Sequence, residues 1–133
     1  MTRVILVCIL ISAAFLSACA TASQPLATSA GVDPAAAKHN VEGIEQYNMG
    51  RWDAAKTHFE AAIKADTGLA EAHYNLALAL DKLGAHAEAT DLFKKAGELA
   101  PGYSAITNSS AYRSHVGPPQ RDYGGSGGYG GMY

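Results

Sequence analysis

The feature that most constrains this chain is a repeat. Sliding the sequence along itself by 34 residues superposes Ala36 on Ala70, His39 on His73, Gly50 on Gly84, Ala55 on Ala89, Phe59 on Phe93, Ala62 on Ala96 and Gly68 on Gly102. A fixed period of this length marks stacked helix-turn-helix units, none of which can bury its apolar face alone. Inside each unit the apolar residues recur at helical spacing. Ala55, Phe59, Ala62 and Ile63 fall at i, i+4, i+7 and i+8, and Ala89, Phe93 and Ala96 repeat that stripe. Asp33-Pro34 reads as an N-cap followed by proline at the first helical position, Asp53 as the cap of the next helix, and Pro101 as a stop. The expectation is an all-α chain with helices near 34–49, 53–65, 70–83 and 86–99.

The same residues resemble the tetratricopeptide repeat (TPR), in which small residues stand where two helices touch, glycine occupies the turn and an aromatic residue lies on the second helix. The first copy, about 36–69, matches through Gly43, Gly50, Ala55, Phe59 and Ala62, with Trp52 at the usual tyrosine of the turn. The second, about 70–103, matches through Leu76, Ala77, Gly84, Ala89, Phe93, Ala96 and Pro101. The first copy departs at His39, Glu42 and Thr67, where tryptophan, leucine and proline are usual; its outer face is more polar, as suits a repeat that ends a stack. The resemblance implies an α-α solenoid over 34–103 whose first helices line a concave partner-binding groove. It assigns to that groove Asn40, Ile44, Tyr47 and Asn48 from the first copy, and Tyr74, Leu78, Asp81 and Lys82 from the second. The basic residues with which some relatives clamp a terminal carboxylate are replaced by Asn40 and Ile44, so that mode is not expected; the tyrosines suit a peptide or helix ligand.

Two repeats are few for a continuous core. Tyr103, Ile106, Tyr112 and Val116 offer a short extra helix over the open end, although Thr107-Asn108-Ser109-Ser110 are poor interior helix formers. Self-association or a bound partner is the other way to cover that surface.

Residues 1–18 have the order of a secretory signal: Arg3, an apolar run from Val4 to Ala14 continued by Phe15 and Leu16, then Ser17 and Ala18. Val4 to Ala18 is too short for a permanent span, which takes roughly 20 residues. Leu16-Ser17-Ala18-Cys19 resembles the lipobox of bacterial lipoproteins, which implies cleavage before Cys19 and acylation of its thiol. Two or more acyl chains anchor a protein stably where one does not. Ala20 in place of aspartate resembles the pattern of lipoproteins sent to the outer membrane, so a Gram-negative host implies its periplasmic side. Residues 19–33 are small and polar without an apolar face and read as a flexible tether.

The end of the chain, within a tail assigned to 104–133, carries seven glycines and three tyrosines in its last 17 residues and is too poor in apolar residues to offset the entropy of ordering. Tyr123, Tyr129 and Tyr133 could stack on sugar or aromatic faces. The only cysteines, Cys8 and Cys19, precede the repeats, which therefore fold without disulfides or thiolate metal ligands. A net charge of −2 offers no basic face for nucleic acid. His39 and His73 occupy equivalent positions without a third ligand at a matching position, and the sequence holds none of the common hydrolase, phosphate-binding or metalloprotease motifs. No enzyme, cofactor or metal is expected. The reading is a membrane-anchored adaptor of the bacterial cell envelope that binds another envelope protein in its groove, with self-association also open. A structural lipoprotein of a pilus, secretion or outer-membrane machine, or a non-catalytic subunit of an envelope enzyme, is the alternative.

Overall fold

The computed structural model describes residues 23–117. Those residues fold as four long helices followed by two short ones: α1 Pro34–Asn48, α2 Trp52–Ala65, α3 Ala70–Lys82, α4 His86–Leu99, α5 Ser104–Thr107 and α6 Ser110–His115. Each long helix packs on its neighbours in sequence, the arrangement of a helical solenoid.

Local chemistry accounts for the boundaries. Asp33 caps α1 by accepting from the backbone N–H of Ala35 and Ala36 at 2.9 and 3.0 Å, with Pro34 just inside the helix. α1 and α3 end in the same way. Gly50 and Gly84 take φ of +74° and +83°, a region costly for a residue with a Cβ. They allow the N–H of Arg51 to reach Gln46 O and that of Ala85 to reach Leu80 O, both at 2.9 Å, which closes the helix end with paired bonds. Asp53 does not cap α2 as its sequence position suggested. The helix begins one residue earlier, at Trp52 with Arg51 as the flanking residue, so Asp53 falls in the first turn and acts there only through its charge.

The core follows the repeat. Phe59 and Phe93, Ala55 and Ala89, and Ala62 and Ala96 are all fully buried. A Cβ added at Gly43 would lie 2.5 Å from Phe59 Cε1, so close contact of α1 with α2 requires glycine there. Burying each phenylalanine side chain contributes up to about 3 kcal/mol.

Two segments outside the repeats differ from the sequence reading. The stretch 104–116, assigned to a low-complexity tail, instead forms α5 and α6 against α4. Ile106 is fully buried, and the Tyr112 ring fills the space a side chain at Gly97 would take, edge-on to Phe93 at 6.5 Å between centroids. The residues that oppose one continuous helix are used as its break: Thr107 ends α5, and the Ser109 hydroxyl caps α6 by accepting from the Tyr112 N–H at 3.1 Å. The second segment is the expected tether. Its described part, 23–33, has no helix or strand, yet it is fastened across the repeats.

Candidate functional site

The first helices of the two repeats, α1 and α3, carry all eight residues assigned to the groove, and the chain's own residues 23–29 lie over them. This strap runs antiparallel to α3. Ser23 Oγ accepts from the Ala111 N–H of α6 at 2.9 Å, Leu26 meets Asn75, and Ser29 meets Glu71.

The grip on Leu26 is made through its backbone. Leu26 N–H donates to Asn75 Oδ1 at 2.7 Å; Leu26 O accepts from Asn75 Nδ2 at 2.8 Å and from Asn40 Nδ2 at 3.0 Å. Asn75 Nδ2 also donates to Asn40 Oδ1 at 2.8 Å, which sets the orientation of both amides. Both asparagines are fully buried, where an unmatched amide costs about 1–3 kcal/mol. Two buried carboxamides that present donors and an acceptor together to the N–H and C=O of one residue are complementary to an extended main chain, whatever its sequence. Further along, the buried Glu71 carboxylate accepts from Ser29 Oγ at 2.6 Å and from Ser29 N at 3.2 Å. The Leu26 side chain packs on the core, so the strap is read at an apolar position and at a hydroxyl three residues later.

The structure separates the eight expected groove residues into two groups. Asn40, Tyr47, Tyr74 and Leu78 are buried and Ile44 is half-buried, so these are closed to solvent wholly or in part. Asn48 and Lys82 remain exposed, and Asp81 is partly so. Tyr47, Leu78, Asp81 and Lys82 share an open cavity of about 280 Å³ with Ser23 and Ser114 between the strap and α6. Tyr47 meets Trp52 edge-on at 4.8 Å, which makes Trp52 part of the packing at the turn. Burial first, then the nearby Asp81 carboxylate and Tyr74, push the Tyr47 hydroxyl up to about 12. His39 and His73 do not act as a pair. His73 is buried with Nε2 3.0 Å from Thr67 O, whereas His39 Nδ1 lies 3.3 Å from Glu42 Oε2, outside hydrogen-bonding geometry.

Asn75, Glu71 and the strap itself escaped the sequence reading. The signal for Asn75 was present, since an amide inside the run Leu76 to Leu80 and its flanks must find partners when that run is buried. Cys19, the expected lipid attachment site, lies outside the described residues. Among the described residues no helix is long and apolar enough to cross a membrane.

No curated protein matches the chain. Residues 40–104 match the family model described as Tetratricopeptide repeat, a family whose repeats generally mediate contact between proteins. With the helix order above, that match makes this an all-α, tetratricopeptide-like solenoid.

Proposed function

We propose that this protein is a lipid-anchored adaptor of the bacterial cell envelope whose groove holds an extended segment of polypeptide, its own residues 23–29 being the resident occupant. The observation that carries this reading is the bonding of Leu26 N–H and C=O to the buried pair Asn40 and Asn75. A segment of a partner satisfies the same amides if it brings an extended backbone, an apolar residue in place of Leu26 and a hydroxyl in place of Ser29.

A strap joined directly to α1 competes at an effective concentration in the millimolar range, so exchange with a partner depends on strap release. The anchor bears on that exchange. Cys19 precedes Ser23 by four residues, which span at most about 14 Å. A lipid on Cys19 then keeps the docked repeats against the bilayer surface, and strap release lengthens the tether. Replacement of Cys19 by serine tests the anchor: loss of membrane retention is expected, and full retention with unaltered mass contradicts it.

The groove is tested with a labelled peptide of residues 21–31, followed by fluorescence anisotropy against the full chain. We expect weak binding to the wild type, stronger binding to Leu26→Asp, whose strap is displaced, and loss of that gain when Asn75→Ala is added. No binding to any form contradicts exchange. That outcome favours the alternative, a structural lipoprotein of a pilus, secretion or outer-membrane machine whose groove stays closed by its own chain.

A further inference from the structure

Donor atoms from three separate elements meet beside the groove. His86 Nδ1, at the start of α4, lies 2.8 Å from Asp81 Oδ1 near the end of α3, and His115 Nε2, on α6, lies 3.0 Å from the same oxygen. One ligand atom from each of the three falls within 4.8 Å of the others.

The surrounding hydrogen bonds give His115 the support that a metal-binding tautomer needs. Thr90 Oγ is 2.8 Å from His86 O, and a carbonyl only accepts, so the single hydroxyl proton points there. Thr90 Oγ therefore accepts from His115 Nδ1–H at 3.0 Å in the tautomer that frees Nε2 to bind an ion. Asp81 Oδ1 only accepts, so without an ion the hydrogen bond to it is donated by Nε2–H, and a bound cation takes that proton's place. An oxygen behind the far nitrogen is the support that metal-binding histidines use to fix ring and tautomer. The His115 ring is also held 5.1 Å from that of Phe93, and its side chain is only 14% exposed.

We propose that Asp81 Oδ1, His86 Nδ1 and His115 Nε2 form a site for a divalent cation of the zinc type, with solvent in the fourth position. Two imidazoles and a carboxylate are a donor set suited to zinc, and three protein ligands plus water is a familiar count. Bonds of about 2.0–2.2 Å place tetrahedral donors roughly 3.3 Å apart, so the separations of 2.8 and 3.0 Å from Asp81 Oδ1 open by only a few tenths of an ångström. His86, 68% exposed, supplies that movement by rotation. The ion ties α6 to α3 and α4 and fastens the cap that also holds Ser23 of the strap. A second group, His39, Glu42 and His58, meets the same distance condition, but among the described residues neither of its imidazoles has a far-nitrogen partner comparable to Thr90.

The test is calorimetric titration of Zn²⁺ into the untagged full chain, with Co²⁺ absorption as the probe of coordination. One ion is expected whose affinity falls about tenfold or more in H86Q, H115Q and D81N, falls about 10–100-fold in Thr90→Val, and is unchanged in H58Q. The visible absorption of tetrahedral Co²⁺ is expected to vanish in H86Q. Because His86 is exposed, unchanged circular dichroism of H86Q separates loss of the site from loss of the fold. Absence of binding at millimolar Zn²⁺ overturns the proposal. Binding that survives H86Q, or that H58Q removes, overturns it as well.

Discussion

The first helices of the two repeats share a sequence period and end in the same glycine turn, yet they are buried very differently. α1 buries Ala36, Asn40, Gly43 and Tyr47, one residue per turn along a single stripe. α3 buries every residue from Ala70 to Leu80. The repeat makes both positions helical, whereas burial depends on what lies on each side. α1 ends the stack with one face in water; α3 is enclosed by α2, α4 and the strap. The segments that repeat nothing therefore convert two repeats, few for a solenoid, into a closed unit.

Replacing the equivalent aromatics tests this contrast with the largest expected effect. Removal of a buried phenylalanine costs about 3–5 kcal/mol, and Phe93, which also carries Tyr74, Tyr112 and His115, should lie at the upper end and Phe59 lower. Urea unfolding of the two alanine variants reads the difference, and equal losses would mean that the cap adds nothing to the second repeat.

The next effect isolates the cap. Gly97→Ala drives a methyl into the Tyr112 ring and should cost about 1–3 kcal/mol. Gly102→Ala, with open space around it, should stay within about 0.5 kcal/mol. If both variants unfold at the wild-type urea midpoint, α6 is not seated on α4.

The smallest effect concerns the groove floor. The unfolded chain ionises Tyr47 near 10, while the fold holds its proton up to about 12. The unfolded state therefore binds fewer protons in that window, so this contribution is complete below pH 10 and is lost as pH rises through 12. Tyr47→Phe should flatten the fall in stability between pH 10 and 12, and an unchanged slope would mean that the hydroxyl is not buried.

Much of this architecture was legible because repeats write themselves in side chains. The period, the turn glycines and the Phe59 and Phe93 stripes place all four long helices to within about a residue or two of their boundaries. The strap was not legible, because it is held chiefly through the backbone of Leu26, and a segment bound by its main chain needs no periodic pattern. Its small polar composition reads as a free linker for the same reason. α5 and α6 are too short for periodicity, and Ile106 and Tyr112 gain meaning only once Gly97 leaves room for a ring. Asp81 was assigned to the groove, but its meeting with His86 and His115 depends on where α6 lands, which the sequence does not encode locally.

The most direct test of the occupied groove is amide hydrogen exchange at Leu26 in the full chain, wild type against Asn75→Ala. The account predicts a protected Leu26 amide in the wild type that exchanges at the rate of a free linker in the variant, while the amides of α2 keep their protection. A Leu26 amide that already exchanges freely in the wild type would contradict a strap held by the asparagine pair.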